Sequence, residues 1–252
     1  MTKPSVDNLK RLAGKVALVT GASRGVGART AVLFGSAKAH VAINYRDKLK
    51  RAEEVAAEVR RLGARAFPVK ADITNERETA EMFVSVDALF GRLDVLVLNA
   101  SGGLEKDMPA SYAMELNKTA QVRALDHALP LMPQGSRVVF VTSHLAHFHG
   151  EQPVPEIYEP VAASKKAGEM ALRARIPELA GHGVSLVVVS GDLIDGTTTP
   201  KLMDRKVPGL IDLRRDQVGW LPTIDDFARA IVEAAADPSL ESGHTVYVGS
   251  TR

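Results

Sequence analysis

The sequence predicts one doubly wound α/β domain carrying a seven-stranded parallel sheet. Seven short apolar runs recur along the 252 residues, and helix-length amphipathic stretches separate them. No linker, long repeat or low-complexity tract divides the chain, so residues 1–252 read as a single unit. Strand–helix alternation of this kind builds a parallel sheet with helices on both faces. Such domains often reach this length undivided.

The first run, residues 15–20 (KVALVT), leads through a glycine-rich turn into a helical stretch. The second, 41–45 (VAINY), precedes residues 46–63, whose apolar positions recur at helical spacing and which end on a glycine. The third to seventh runs are 66–69, 93–98 (LDVLVL), 138–142 (VVFVT), 184–190 (VSLVVVS) and 245–248. Several are continuous and valine-rich, as strands buried on both faces are. Residues 197–219 interrupt the alternation, mixing prolines, charges and apolar residues. They predict a mobile flap over a pocket, with a surface helix pair as the alternative.

Composition excludes several function classes. The chain has no cysteine, so disulfides, thiolate metal sites and cysteine nucleophiles are absent. Thirty-two basic against thirty acidic residues, spread along the chain, leave a net charge of +2. That balance offers no footprint for nucleic acid or an anionic membrane. No apolar run approaches the ~20 residues that span a bilayer, and MTKPSVDNLKR lacks the apolar core of a secretory signal. The expectation is a cytoplasmic protein.

The turn after the first run reads TGASRGVG, residues 20–27. Gly21, Gly25 and Gly27 let the backbone turn tightly and let a pyrophosphate approach amides at a helix N-terminus. This segment resembles the TGxxxGxG loop of short-chain dehydrogenases/reductases. Asp72-Ile73 resembles the family's acidic residue beside the adenine. Leu98-Asn99-Ala100-Ser101 resembles its NNAG, departing at Leu98 and Ser101. Asn117 falls at the helix-four asparagine, and Ser143 closes the fifth strand where the catalytic serine belongs. The resemblance implies a Rossmann domain, a nicotinamide cofactor and hydride transfer. It implies cofactor contacts from Gly21, Ser23, Arg24, Gly25, Val26, Gly27, Tyr45, Arg46, Asp72, Ile73, Asn99, Ala100 and Ser101, and from Tyr158, Lys165, Gly191 and Ile194.

NAD binders of this fold place an acidic residue at the end of the second strand. Here the stretch reads Asn44-Tyr45-Arg46, with Asp47 one residue later. Arg46 and Arg24 together suit a 2′-phosphate, which arginine grips in bidentate fashion. The expected cofactor is NADP(H); the alternative is that both arginines are solvated surface charges.

The family's tyrosine stands four residues before its active-site lysine, but four residues before Lys165 is Val161. Tyr158 lies seven before, and this Y-x6-K spacing is similar to bacterial type III enoyl-acyl-carrier-protein reductases. So are the segments at Asn99-Ala100-Ser101-Gly102 and Val189-Ser190-Gly191. Pro160 suits the first turn of a helix, leaving Tyr158 just outside its start. A free tyrosine titrates at about 10, and a neighbouring ammonium lowers that. By resemblance Tyr158 is the proton donor, Lys165 holds the nicotinamide ribose, Ser143 bonds the substrate oxygen and Asn117 anchors a water path. The leading reading is an NADP(H)-dependent oxidoreductase acting on a small-molecule or acyl-thioester substrate, at a carbonyl or activated C=C bond. The alternative is a non-catalytic NADP(H)-binding sensor or scaffold.

Residues 144–151 hold His144, His147 and His149. No HExxH or carboxylate pattern supports a metal site. The expectation is a pocket histidine that donates a proton near neutral pH, with His147 the favoured one. By family resemblance, a homotetramer or homodimer would form through residues 160–181 and 243–249.

Overall fold

The computed structural model describes residues 6–105, 108–109 and 111–251. Among them, β1 (Val16–Val19), β2 (His40–Tyr45), β3 (Ala66–Lys70), β4 (Val95–Leu98), β5 (Arg137–Ser143), β6 (Ser185–Gly191) and β7 (Thr245–Val248) form one parallel sheet. Its order is β3-β2-β1-β4-β5-β6-β7. The chain starts in the middle, builds outward to β3, then crosses back to β4. Loops leaving β1 and β4 therefore part to opposite faces and open a crevice at the strands' C-terminal ends.

The helices are α1 (Val6–Lys10), α2 (Gly25–Ser36), α3 (Leu49–Arg61), α4 (Glu76–Phe90), α5 (Tyr112–Met114), α6 (Ala120–Ala128), α7 (His144–His147), α8 (Glu159–Arg173), α9 (Ile176–Gly181), α10 (Thr198–Lys206), α11 (Leu210–Val218) and α12 (Ile224–Ala236). Successive strand side chains point to opposite faces, and two apolar layers result. Ala17 and Val19 of β1 join Phe34, Val59 and Ile231 from α2, α3 and α12. Val16 and Leu18 join Met82, Leu125 and Leu172 from α4, α6 and α8. With both faces covered, no strand of the centre needs a polar side, which is why the runs read as unbroken valine and leucine.

Three local features position the site. A π-turn over Glu115–Thr119 joins α5 to α6 and carries Asn117; such turns concentrate at functional sites. The segment after Tyr158 forms two helices, α8 and α9, divided at residues 174–175. Residues 197–219 contain the helix pair α10 and α11, whose Met203 is fully buried in a third small cluster with Ala146, Tyr158, Val161 and Ala162. No helix among the described residues is long and apolar enough to cross a membrane.

Candidate active site

The glycine loop is held from both sides. Gly21 and Gly25 have φ of +64° and +57°, where a side chain is strained. Gly27 is required by space: a β-carbon there would lie 2.6 Å from Asn99 Nδ2 and 2.7 Å from the Gly21 carbonyl. Thr20 Oγ1 accepts from the Asn99 and Ala100 amides at 2.9 and 3.0 Å, and Asn99 Nδ2 donates to the Thr20 carbonyl at 2.8 Å. Buried Asn44 accepts from the Gly21 amide at 3.0 Å and donates to the Ala71 carbonyl at 3.1 Å. Asn44 thus ties the loop to the end of β3, a role its place in an apolar run did not announce. Arg24 stands at the cap of α2 without a side-chain capping bond. Gly25, Val26 and Gly27 of the first turn of α2 line the cleft, and the amides at a helix start suit an anion.

One cleft of about 1290 Å³ runs from this loop to Ser143 and on to the helix pair α10 and α11. At one end of it stand Arg24, Arg46, Asp47, Asp72 and Ile73. Arg46 Nε donates to Asp47 Oδ2 at 2.8 Å, and Nη1 donates to the Tyr112 hydroxyl at 2.9 Å. The Asp47 partnership raises the guanidinium pKa and holds the Asp47 carboxyl below its usual value. Asp72 Oδ1 accepts from the Thr74 amide and hydroxyl at 3.0 and 2.7 Å. Tyr45 is placed elsewhere: its side chain is buried with Val41 and Ile43 in the first apolar layer and is not among the residues lining the cleft.

At the other end, the helical turn Glu156–Tyr158 runs directly into α8 and leaves Tyr158 at the cap position. From there the phenol reaches back to β5, with its oxygen 3.1 Å from Ser143 Oγ. Tyr158 is 4% exposed. Burial pushes its pKa up, against a lowering influence from the Ser143 hydrogen bond. This is opposite to the expected direction: dehydration of the phenolate outweighs the Ser143 hydrogen bond. Val161, at the family's usual tyrosine position, packs beside Tyr158 in the third cluster.

Lys165 is 7% exposed and lines the same cleft. Its ammonium has no hydrogen-bond or ion-pair partner among the described residues. Burial pushes its pKa down to about 8, opposed by Glu169 one turn further along α8. Asn117 is fully committed: Oδ1 accepts from the Gly102 amide at 3.2 Å, and Nδ2 donates to the Gly102 carbonyl and Ser164 Oγ at 2.8 and 2.9 Å. It buckles the segment after β4 to α8.

The histidines part company. His144 is buried, lines the cleft and pairs Nδ1 with Ser190 Oγ at 2.8 Å. Burial pushes its pKa down to about 4, so it is neutral at pH 7. His147 instead points away from the cleft, held by Glu169 at 2.9 Å and by the Tyr247 hydroxyl at 2.9 Å. The expected pocket position therefore belongs to His144, which is too weak a base to be an imidazolium donor. His149 pairs with Glu159 at 2.6 Å.

Residues 197–219 contribute a pair no motif pointed to. Arg214 of α11 donates from Nε and Nη2 to the buried Asp192 carboxylate at 3.0 and 2.8 Å, and from Nη2 to the Ser250 carbonyl at 3.1 Å. Gly191 and Ile194 flank Asp192 at the end of β6 and line the cleft, as do Ser23, Val26, Ala100 and Ser101.

The family model for short chain dehydrogenase matches residues 15–206, from β1 to the end of α10. The chain belongs to the short-chain dehydrogenase/reductase family. It is accordingly an oxidoreductase. Hydroxynaphthalene reductase-like protein Arp2 of Metarhizium guizhouense is 37% identical over 186 residues, 71% of this chain and 67% of that protein. A short-chain dehydrogenase from Burkholderia cenocepacia J2315, solved in complex with NADP, superposes with a TM-score of 0.81 at 27% identity, covering 95% of this chain and 98% of that one. The promiscuous reductase LugOII, which catalyses keto-reduction at C1 during lugdunomycin biosynthesis, gives 0.81 at 28% identity, covering 96% and 99%.

Proposed function

We propose that the chain is an NADP(H)-dependent reductase that delivers hydride to a carbonyl carbon, with Tyr158 supplying the proton. The observation that carries this is the 3.1 Å pairing of Tyr158 with Ser143 in a cleft shared with Lys165, although Val161 fills the usual tyrosine position. The cradle of Gly21, Gly25 and Gly27, the open amides of α2 and the unpartnered Lys165 ammonium fit a dinucleotide. Arg24 and Arg46 fit its 2′-phosphate. Asp72 and Ile73 would flank the adenine.

The reduced nicotinamide supplies the hydride. Ser143 Oγ donates to the substrate oxygen and stabilises the negative charge that gathers there. Tyr158, kept protonated by its dry surroundings, passes the hydroxyl proton to that oxygen as the alcohol forms. Lys165 would hold the nicotinamide ribose through its ammonium, in the same cleft as Tyr158. With its pKa pushed down to about 8 by burial, the Lys165 ammonium can exchange its own proton near neutral pH.

Leu104, Leu145, Val161, Leu202, Leu210 and Leu213 line the substrate end, so we assign it a bulky apolar skeleton bearing a ketone. The keto-reduction named for LugOII supports the ketone, and the hydroxynaphthalene in the Arp2 name supports the bulky skeleton. The helix pair α10 and α11 serves as the flap, anchored by Arg214. The Y-x6-K spacing favours a second reading, reduction of an enoyl thioester. A homodimer or homotetramer would use α8 and β7, where Met170 and Tyr247 are exposed. The deciding experiment follows NADPH oxidation with 1-tetralone, a fused-ring ketone, and with a 2-enoyl thioester. Turnover of the ketone alone supports the proposal. Thioester turnover alone selects the second reading, and tight NADPH binding without oxidation of either supports a sensor.

A further inference from the structure

We propose that Tyr112 is a positioning residue that holds Arg46 for the 2′-phosphate and so sets coenzyme preference, an inference that rests on the NADP(H) reading above. Tyr112 opens α5, 66 residues beyond Arg46 and across the adenosine end of the cleft, which both residues line. Its ring packs against the second apolar layer, so the hydroxyl is a fixed post. Arg46 by itself is a half-exposed side chain beside Asp47, and that carboxylate alone would draw the guanidinium toward solvent. The Tyr112 contact at 2.9 Å pins the second arm of the fork.

Donor arithmetic leaves the fork usable. Arginine has five N–H groups; Asp47 and Tyr112 engage one each. One Nη1 hydrogen and both Nη2 hydrogens remain, enough for a bidentate grip on phosphate. The Tyr112 oxygen accepts from Arg46, and burial raises the Tyr112 pKa, so the phenol stays neutral and leaves the guanidinium charge for the phosphate. A fork held in advance loses less freedom on binding than one swinging from a flexible stem.

The test uses calorimetric titration with 2′,5′-ADP and 5′-AMP, which differ by the 2′-phosphate alone. Tyr112→Phe is expected to weaken 2′,5′-ADP about tenfold, roughly 1.4 kcal/mol, and to leave 5′-AMP within about twofold. In an Arg46→Ala background the same substitution should have no further effect. Equal weakening of both ligands, or an undiminished effect in that background, overturns the inference by showing a merely structural tyrosine. Selective loss of 2′,5′-ADP in Arg46→Ala with no change in Tyr112→Phe also overturns it while the NADP(H) reading stands. If Arg46→Ala keeps the full preference for 2′,5′-ADP, the assignment of Arg46 to the phosphate fails and Tyr112 falls with it.

Discussion

Acidification should loosen this fold through His144. The imidazole is buried, with a pKa lowered from 6.5 to about 4. An unfolded chain therefore binds a proton at His144 over a range where the folded one refuses it. Stability rises with pH wherever the unfolded state holds more protons, so the contribution of His144 is lost as pH falls from 6.5 toward 4. At 1.36 kcal/mol per pH unit, the whole difference of 6.5 against about 4 amounts to roughly 3 kcal/mol, of which about 2 has gone by pH 5. Lowered carboxylates such as Asp94 and Asp225 add their own acid loss, so the measurement must isolate the histidine. Urea unfolding of the wild type and His144→Asn at pH 7, 6 and 5 does that. The stability gap between them should narrow by about 2 kcal/mol between pH 7 and 5. Parallel pH profiles for the two proteins would refute the assignment of a neutral buried imidazole.

Three further outcomes are expected. Tyr158→Phe should cut steady-state turnover about 10²–10⁴-fold while NADPH affinity and unfolding midpoint stay near wild type; unchanged turnover moves the proton donor elsewhere. Gly27→Ala places a methyl 2.6 Å from Asn99 Nδ2 and should cost about 1–3 kcal/mol, read as a lower Tm and a smaller NADPH-induced shift. A wild-type melting curve would show that the loop gives way more easily than its packing indicates. Arg214→Ala strips the buried Asp192 of its partner and should loosen α11 by about 1–3 kcal/mol, allowing for the part-exposed arginine. Limited proteolysis should then cut within residues 198–218 first, with substrate KM raised and NADPH affinity kept; resistance equal to wild type would remove Arg214 as the anchor.

The fold was legible because strands buried on both faces cannot hide their period, and the glycine loop because three positions there tolerate nothing else. Tyr45 was legible too: Val41, Ile43 and Tyr45 share one face by simple alternation, which should have sent that ring into the core instead of the cleft. Choosing between His144 and His147 needed the start of a one-turn helix, and three residues of that helix turn a side chain from the pocket to its back. Asn44, Arg214 with Asp192, and Tyr112 with Arg46 escaped for another reason. Each acts through a partner or main-chain group tens of residues away, and no local pattern encodes such a meeting.

The third apolar cluster joins the proposed acid to the proposed substrate gate. Met203 of α10 is fully buried in the same packet as the ring of Tyr158. Any exchange of that methionine made to widen the pocket also changes how dry the phenol is, and with it the readiness of the hydroxyl to give up its proton. Substrate range and proton delivery are thus coupled variables in this enzyme, and a library built on α10 will sample both at once.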